Sequence, residues 1–262
     1  MLRSSMYNSA LRNEKKEIVT RDGSRTLYSY EFDEAYHSTK DGAFHESLSK
    51  HVIPALSFRK EKKELKILDI CFGLGYNTFT TLYYIKKHKL PIQAHILSPE
   101  LDESLIRSLD TFTYPKEFDF LAPIIKRLSQ DFYYEDEQFK IQILLGDARK
   151  LIPKIDHSID IVYQDAFSPT KNPLLWTREY FADIRHIVAK DAILTTYSTA
   201  LVTRLGLFEN GFNIFLYKAK MARRSIVASP SMLEAEDISY VDMELKKEQN
   251  PTAHSLRDEE WC

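Results

Sequence analysis

Short apolar runs and longer amphipathic stretches alternate along most of the chain. From residue 65 onwards, runs rich in Ile, Leu, Val and Tyr predict strands, and the segments between them carry the helical spacing of apolar residues. The predicted strands cover residues 66–70, 92–98, 139–145, 158–164, 192–197, 212–217 and 223–229. Strands separated by helices favour a mainly parallel sheet with helices on both faces. The last two strands are expected to form a closing hairpin, so the pattern predicts an α/β fold.

The part of the chain before this sheet has a different pattern. Two strand-like runs, residues 16–20 and 25–30, flank Asp22-Gly23, and a glycine at such a turn predicts a β-hairpin. Apolar residues at helical spacing then predict a helix over residues 43–56. The chain is accordingly divided into a hairpin-and-helix extension over residues 1–60, a main α/β domain over residues 61–230 and an acidic tail over residues 231–262, with at most one short helix.

Composition places the chain among ordinary globular proteins. Hydrophobic residues make up 44% and charged residues 28% of its 262 residues, which excludes a wholly disordered chain. No stretch of about 18 apolar residues is present, so no membrane span is expected. The first 16 residues lack the apolar core of a secretion signal, and Cys71 and Cys262 are too few for a disulfide framework. We therefore expect a cytoplasmic protein.

The charge is unevenly distributed along the chain. Residues 231–262 carry nine acidic and three basic side chains, a net charge of −6. Because the whole chain carries −2, residues 1–230 carry +4. A mildly basic body with an acidic tail is compatible with an RNA partner, although this balance alone does not show one.

The loop after the first predicted strand contains two closely spaced glycines. It runs Asp69-Ile-Cys-Phe-Gly73-Leu-Gly75-Tyr-Asn77 and leads into a predicted helix. Glycines let the backbone approach a ligand and a helix N-terminus offers free N–H groups, although a plain glycine turn would look the same. The third glycine of the dinucleotide fingerprint and the Lys-Ser/Thr pair of a P-loop are missing, which points away from pyrophosphate and triphosphate ligands.

Acidic residues follow the next three strands of the predicted sheet. Glu100, about 25 residues past the glycines, suits either a helix N-terminus or the hydroxyls of a ribose. In Gly146-Asp147-Ala148, the aspartate suits either a helix N-cap or the amino group of an adenine. Asp165 begins a loop that contains two prolines, Lys171 and Asn172 and ends at Trp176, a combination that a structural loop rarely needs.

These strand-end residues are expected to lie together, because the carboxyl ends of parallel strands meet at one edge of the sheet. A glycine turn followed by three acids in this order suits a nucleoside that bears an amino-acid-like part. S-adenosylmethionine has adenine, a ribose diol and a methionyl end, and its sulfonium cation favours a site lined by acids. The sequence therefore predicts S-adenosylmethionine as the cofactor.

Both loops resemble the methyltransferase domain of the MnmC family, whose stand-alone members are called MnmD. The family has an acid followed by Phe-Gly-x-Gly-x-Asn, here Asp69 and residues 72–77. It also has an Asp followed by Phe-(Ala/Ser)-Pro-x-Lys-Asn-Pro-x-x-Trp, here Asp165 and residues 167–176. The resemblance extends over residues 26–230 and includes Glu100, Gly146-Asp147 and an upstream segment with Tyr36-His37-Ser38, Asp41-Gly42 and Glu46.

This resemblance implies a class I S-adenosylmethionine-dependent methyltransferase, with a Rossmann-like sheet of seven strands of which the last is antiparallel. It implies an enzyme that methylates 5-aminomethyl(-2-thio)uridine at the wobble position of tRNA to 5-methylaminomethyl(-2-thio)uridine. MnmC proteins fuse this domain to a flavin-dependent oxidase that first removes a carboxymethyl group. The chain resembles the methyltransferase half alone, so separate upstream enzymes are expected to supply the aminomethyl group.

The resemblance also implies roles for the strand-end residues. Asp165 is the expected catalytic residue, which orients the amine and receives or relays its proton. Glu100 is expected to bind the ribose and Asp147 the adenine, while the glycine loop surrounds the methionyl part. The expected cofactor-binding residues are Asp69, Gly73, Gly75, Asn77, Glu100, Asp147, Ala148 and Asp165.

Candidates for tRNA binding come from the upstream segment and from basic residues of the body. Tyr36 and Glu46 belong to a segment that is expected to fold over the cofactor as a lid, although Tyr36 also suits plain core packing. The cations expected to contact RNA are Lys171, Arg178, Arg223 and Arg224, with Lys218 and Lys220 as further candidates. Trp176 and Tyr197 suit either a stacked base or the core. The histidines form no metal-spaced set, so no metal is expected.

Two other functions fit part of the sequence. A polyamine aminopropyltransferase would use a related sheet and an Asp in the same loop, but Lys171 would repel a polycation. A catalytically inactive member that binds RNA or a protein is the second alternative, because Cys71 stands where the family usually has glycine. The acidic residues at the strand ends are intact, which argues against the inactive member.

Overall fold

A computed structural model of the chain describes residues 11–156, 158–219 and 222–261. Lys220 and Cys262, named above, lie outside the described residues. The extension begins with a three-stranded antiparallel sheet of β1 (Lys15–Val19), β2 (Arg25–Ser29) and β3 (Glu34–Ala35). In its β1–β2 hairpin Val19 pairs with Arg25, and Gly23 adopts a φ of 85° in the turn. The predicted hairpin is therefore present.

The predicted helix over residues 43–56 is interrupted by a π-helical stretch. It consists of α1 (Ala43–Glu46), a π-helix (Ser47–Val52) and α2 (Ile53–Ser57). A π-helical turn contains an extra residue and shifts the positions that follow it around the helix axis. As a result Lys50 and His51 are buried, two polar residues that the apolar periodicity did not place in the interior.

In the described part of the chain, nine further strands form the central sheet, in the spatial order β12-β10-β11-β9-β8-β4-β5-β7-β6. Their bounds are β4 (Glu64–Ile70), β5 (Gln93–Glu100), β6 (Tyr133–Glu135), β7 (Phe139–Leu145), β8 (Ile159–Gln164), β9 (Val188–Thr196), β10 (Asn213–Tyr217), β11 (Ser225–Ser229) and β12 (Ile238–Tyr240). The seven predicted strands are all present. The sheet has two strands more than the seven expected. They are the three-residue strands β6 and β12, which lie at the two edges of the sheet.

The seven predicted strands have the topology expected of a class I methyltransferase. Numbered along the chain, they lie in the order 3-2-1-4-5-7-6, and the seventh, β11, pairs antiparallel with both β9 and β10. The five strands β7, β5, β4, β8 and β9 are parallel. The expected α/β fold with an antiparallel last strand is therefore confirmed.

Helices cover both faces of the sheet. They are α3 (Tyr76–Lys87), α4 (Glu103–Arg107), α5 (Ala122–Asp131), α6 (Ala148–Leu151), α7 (Arg178–Ile187) and α8 (Leu201–Glu209). Adjacent residues of β4 pack into different cores: Ile67 lies with Phe79 of α3, and Leu68 lies with Phe181 of α7. Both faces are thus apolar, which explains the continuous apolar strands of the sequence.

The segment after Ser231 is more structured than its acidic composition predicts. It contributes β12 and α9 (Met243–Gln249), and Val241 and Met243 are buried. Asp258 forms an ion pair with Arg149 at 2.5 Å. Packing and charge pairing therefore hold this segment against the body, while the proposed division into three parts stays a prediction. Among the described residues, no helix has the length and apolar character needed to cross a membrane.

Candidate active site

A cavity of about 670 Å³ opens at the carboxyl ends of the parallel strands. Register explains why the strand-end residues meet there. The last residue of β4, Ile70, pairs with Gln164 of β8, and Glu100 of β5 pairs with Leu145 of β7. The residues that follow these strands therefore share one edge of the sheet, and the upstream segment of the extension closes the cavity from the other side. Such a volume is typical of sites for small organic ligands.

The glycine loop is held by a close backbone approach at Gly75. This residue has a φ of 72°, and a Cβ there would lie 2.5 Å from the Phe79 ring. Gly75 precedes the first turn of α3 and packs against aromatic rings, whereas Gly73, Tyr76 and Asn77 line the cavity. Of the two predicted glycines, Gly73 is thus the one that lines the cavity, and Gly75 shapes the turn.

Cys71 also adopts a left-handed conformation, with a φ of 62°. This conformation favours glycine, which gives a physical reason for the glycine usual at this position. Burial raises the pKa of the Cys71 thiol well above its usual value, so the side chain is a neutral thiol. Cys71 lines the cavity without closing it, and the departure from glycine leaves the site open.

Replacement of Cys71 should separate backbone strain from packing. The left-handed conformation costs an L-residue about 1–2 kcal/mol, and glycine avoids this cost but loses more backbone entropy on folding. Cys71→Gly should therefore raise the free energy of unfolding by up to about 1 kcal/mol. Cys71→Val should lower it by about 1 kcal/mol or more, because β-branching is least tolerated there. Urea unfolding measures both. A valine variant as stable as the glycine variant would contradict this account.

The Glu100 carboxylate ties the glycine loop to the end of β5. Its Oε2 accepts a hydrogen bond from the Gly73 N–H at 2.8 Å, and its Oε1 accepts from the N–H groups of Leu101 and Asp102 at 2.7 and 2.8 Å. Burial raises the pKa of Glu100, while these backbone donors act in the opposite direction. The carboxylate lines the cavity in a fixed orientation, with lone pairs left for a ligand hydroxyl.

Asp147 is a helix N-cap that also lies in the cavity wall. Its side chain caps α6 by accepting a hydrogen bond from the Arg149 N–H at 3.0 Å, and Asp147 and Ala148 both line the cavity. Gly146 donates its N–H to the Glu100 carbonyl at 2.8 Å, which fixes the spacing between the two acidic residues. Capping therefore orients Asp147 at the wall of the cavity.

Asp165 lies directly after β8 in the cavity wall. Its Oδ2 accepts a hydrogen bond from Asn77 Nδ2 at 2.8 Å, and its Oδ1 lies 3.4 Å from Nε2 of His51. Asn77 also reaches Asp69 Oδ1 at 3.4 Å, and Thr78 donates to Asp69 Oδ2 at 2.7 Å. The structure thus connects the two motif loops through Asn77, with Asp69 buried beneath them as a support.

The two aspartates of this network differ in ionisation. Burial raises the pKa of Asp69 to about 7, against the hydrogen bonds that it accepts. Burial acts in the same direction on Asp165, but the neighbouring His51 and the Asn77 amide bring the pKa of Asp165 below its ordinary value. Asp165 is therefore the carboxylate that is fully ionised at neutral pH, and it is the one that faces the cavity.

The upstream segment provides part of the cavity wall, while its role as a lid stays a prediction. Tyr36 and Glu46 both line it, and Tyr36 packs edge-on against Phe167 of the Asp165 loop at 4.9 Å. Glu46 Oε2 accepts a hydrogen bond from the Ser38 N–H at 2.6 Å, and Oε1 accepts from Lys50 at 2.7 Å. Both Glu46 oxygens are thus used to hold the segment itself.

The predicted RNA-binding cations occupy different places. Arg223 lines the cavity, where it contacts Asp41 and Ser38 at 3.3 and 3.2 Å. Lys171 pairs with Asp33 at 2.8 Å in the extension. The structure does not bring Arg178 to the cavity wall, because Arg178 begins α7 and pairs with Glu209 of α8 at 3.5 Å. Lys218 directly follows β10, Arg224 directly precedes β11, and both lie outside the wall.

The two candidate stacking residues have different environments. Trp176 is fully buried, and its Nε1–H donates to the Phe167 carbonyl at 2.7 Å, so it belongs to the core. Tyr197 lines the cavity, and its hydroxyl donates to the Ala166 carbonyl at 2.9 Å. Both residues therefore brace the loop that follows Asp165.

Two residues at this site carried no signal in the sequence. Glu34 of β3 accepts hydrogen bonds from the N–H and hydroxyl of Ser168 at 3.0 and 2.8 Å, which docks the extension on the Asp165 loop. His51 contacts Asp165 from the π-helix. Both lie over 100 residues from their partners in the chain, so local spacing could not reveal them. Within the described ranges, no group of three or more His, Cys, Asp or Glu residues is placed to hold a metal ion.

Comparison with known proteins places this geometry in a family. Residues 117–231 match a family model described as S-adenosyl-L-methionine-dependent methyltransferase. The crystal structure of MnmC2 from Aquifex aeolicus superposes with a TM-score of 0.82 at 30% identity, covering 97% of this chain and 82% of that one. The chain belongs to the MnmC methyltransferase-domain family. The resemblance drawn from the two loop motifs is thereby confirmed.

The curated relatives that this chain matches are longer than the chain itself. A protein of Methanocaldococcus jannaschii is 31% identical over 78% of this chain, which covers 56% of that relative. The tRNA 5-methylaminomethyl-2-thiouridine biosynthesis bifunctional protein MnmC of Ralstonia nicotianae is 29% identical over 72% of this chain. The chain covers 30% of that protein. It thus spans about half of the first relative and under a third of the second.

The cavity fits the cofactor of this methyltransferase family. Asn77 donates to Asp165 through Nδ2, while its buried Oδ1 has no hydrogen-bond partner and belongs to a residue of the cavity wall. Such an orphaned acceptor suits the methionyl ammonium of S-adenosylmethionine. Glu100 offers carboxylate lone pairs for the ribose, and Gly73 leaves room beside Tyr36, which a Cβ would approach to 3.1 Å. The residues present therefore suit the methionyl and ribose parts of the cofactor.

Proposed function

We propose that this chain methylates the aminomethyl nitrogen of 5-aminomethyl(-2-thio)uridine at the wobble position of tRNA. The proposal rests above all on Asp165, an ionised carboxylate in the wall of the cavity that also contains Glu100 and the glycine loop. The name of the Ralstonia relative supplies the substrate class. Because the substrate already carries a free aminomethyl group, the reaction needs no oxidase step in this chain, and separate upstream enzymes would supply that group. We place this reaction in the cytoplasm.

S-adenosylmethionine, when bound, supplies a methyl group on a sulfonium centre. The amine lone pair forms the new N–C bond as the S–C bond breaks, so positive charge moves from sulfur to nitrogen. A carboxylate beside the nitrogen stabilises the charge that develops there. Asp165 is in a position to do this from the cavity wall, because Asn77 holds one of its oxygens at 2.8 Å.

The proton of the amine must leave for the product to be neutral. An amine that donates one N–H to Asp165 is held in a fixed orientation. The lone pair of its nitrogen then points away from the carboxylate, towards the methyl donor. Since the pKa of Asp165 lies below its ordinary value, the residue serves as a hydrogen-bond acceptor and proton relay rather than as a strong base. We therefore assign Asp165 the orienting role and let the proton pass on to solvent at the cavity mouth.

The test is nucleoside mass spectrometry. Transfer RNA from cells that lack this methylation is incubated with the chain and S-adenosylmethionine, then digested. Gain of one methyl group on 5-aminomethyluridine, with or without the 2-thio group, supports the proposal. Putrescine with decarboxylated S-adenosylmethionine is the control for an aminopropyltransferase. Transfer to putrescine, or no transfer to tRNA by a protein that binds the cofactor, would refute the proposal.

Arg223 is the predicted cation that best tests RNA contact, since it lines the cavity and its side chain is 68% exposed. Arg223→Gln should weaken tRNA binding and reduce the slope of log K against log salt concentration by about 1, the value for one phosphate contact. Arg127→Gln on α5 is a matched control, because its side chain is 64% exposed and remote from the wall. Equal slopes in Arg223→Gln and the wild type would exclude a phosphate contact.

A further inference from the structure

A buried imidazole contacts the catalytic candidate from the extension. His51 is fully buried within the π-helix, and its Nε2 lies 3.4 Å from Asp165 Oδ1. That nitrogen has no hydrogen-bond partner of good geometry, and His51 is not part of the cavity wall. The imidazole therefore reaches the reaction site only through the Asp165 carboxylate.

A second contact fixes the ring at its other nitrogen. Nδ1 of His51 lies 3.0 Å from the hydroxyl oxygen of Thr195, a buried residue of β9. A threonine hydroxyl that donates to Nδ1 leaves the hydrogen of a neutral imidazole on Nε2, and a protonated ring carries one there as well. In both forms an N–H faces Asp165. The edge-on contact with the Tyr163 ring, at 5.8 Å, restricts the orientation of the imidazole further.

We propose that His51 is a positioning residue for methyl transfer, which holds the Asp165 carboxylate towards the acceptor nitrogen through its Nε2–H while Thr195 fixes its tautomer. This inference rests on the proposed function and deepens it. Asn77 binds Oδ2 and His51 approaches Oδ1, so N–H donors from two different elements restrain the carboxylate. The carboxylate keeps its remaining lone pairs for the amine.

The charges around the ring agree with this role. Burial alone would raise the pKa of Asp165, and the neighbouring His51 is the first of the groups that bring this pKa below its ordinary value. The ionisable groups that act on or contact the ring are Asp165, Asp69 on β4, His37 in the upstream segment and Tyr163 on β8. Among these, Asp165 is the closest carboxylate to Nε2, so the ring acts mainly on it.

The π-helix gives a structural reason for the position of His51. Of its six residues, Ser47, Ser49, Lys50, His51 and Val52 are buried. Four of these buried side chains are polar, and burying that many polar groups in one wide turn would be costly in a helix that served packing alone. The buried Lys50 forms ion pairs with Asp41 and Glu46 at 2.7 Å each, and the buried His51 contacts Asp165. Wide helical turns of this kind are common at functional sites.

Sinefungin provides a test that does not depend on tRNA. This analogue carries an amino group in place of the transferable methyl, and S-adenosylhomocysteine lacks that group. The ratio of the two affinities therefore measures how strongly the Asp165 carboxylate binds the amino nitrogen. The wild type should bind sinefungin more tightly, and His51→Leu should reduce this preference by about 10-fold or more, as for the loss of a hydrogen bond to a charged group. S-adenosylhomocysteine affinity should stay unchanged. His51→Gln, which can place an N–H near the same point, should recover part of the preference.

Kinetics give the second readout. His51→Leu should lower kcat for tRNA methylation by about 10- to 100-fold with KM little changed, and the acidic limb of its pH profile should move to higher pH. If His51→Leu does not fold, Thr195→Val replaces it and should cause a smaller change of the same sign. Unchanged preference, kcat and pH profile in a folded variant would overturn the role of His51. A wild type that prefers sinefungin through His51 but does not methylate tRNA would instead refute the proposed function.

Discussion

Asp165→Asn is expected to lower kcat for methyl transfer by about 10²- to 10⁴-fold, the range over which a positioned acid or base acts. The amide removes the negative charge that stabilises positive charge on the nitrogen, and it offers only one acceptor oxygen. Asn77 and His51 each direct an N–H group at one oxygen of the Asp165 carboxylate. In Asp165→Asn an NH₂ group replaces one of these oxygens, so one of the two contacts is lost. Methyl transfer to tRNA is measured in single turnover with saturating cofactor.

Cofactor affinity shows whether Asp165→Asn impairs methyl transfer itself or only the binding of the cofactor. Affinity for S-adenosylhomocysteine, measured by calorimetry, should change little in Asp165→Asn, because Glu100 and the glycine loop stay in place. Asp110→Asn, at an exposed turn after α4, is the matched control and should retain full activity. Full activity in Asp165→Asn would exclude Asp165 as the catalytic residue. Equal losses in binding and kcat would assign it to cofactor binding alone.

Glu100→Gln should weaken S-adenosylhomocysteine binding by about 10- to 100-fold, as expected when hydrogen bonds to a buried charged group are lost. Glu100 accepts from three backbone N–H groups, of Gly73, Leu101 and Asp102. A glutamine has one oxygen, so its NH₂ group must face at least one of these donors. The variant should therefore lose both the ribose acceptor and the restraint on the glycine loop.

Glu103→Gln is the control for the Glu100 variant. Glu103 lies three residues further along, is exposed and pairs with Arg107 on α4. Its replacement should leave cofactor affinity as in the wild type. Thermal unfolding of both variants shows whether a loss of affinity follows from a loss of structure. Wild-type affinity in a folded Glu100→Gln would exclude the carboxylate from the cofactor site.

Much of the fold could be predicted from local patterns. The seven strands of the class I sheet are apolar on both faces, and continuous apolar runs of this kind stand out between amphipathic helices. The strands β6 and β12 are three residues long and were not predicted. Such short edge strands exist because a neighbouring strand offers free N–H and C=O groups, and their own sequence carries too little signal.

The acidic segment shows where composition misleads. Nine acids suggest a solvated tail, yet Val241 and Met243 are buried and Asp258 pairs with Arg149 at 2.5 Å. Arg149 of the body offsets the charge of Asp258, and the segment's own Arg257 pairs with Glu179 and Glu209 of the body. Arg178 likewise pairs with an acid on another helix, Glu209 of α8, and lies outside the cavity wall, so its contact with tRNA stays a prediction.

The sequence by itself determined the positions of the seven strands along the chain, the two motif loops and the family resemblance, because each depends on residues that are close together in the chain. Only the tertiary structure decided which of those loops touch, that Asn77 joins Asp69 to Asp165, and that His51 and Glu34 of the extension reach the same site. The physical reason is that contacts between residues 88 or more positions apart, such as Asn77–Asp165, depend on strand register and helix packing. Those are set by the burial of the whole core and leave no local spacing to detect.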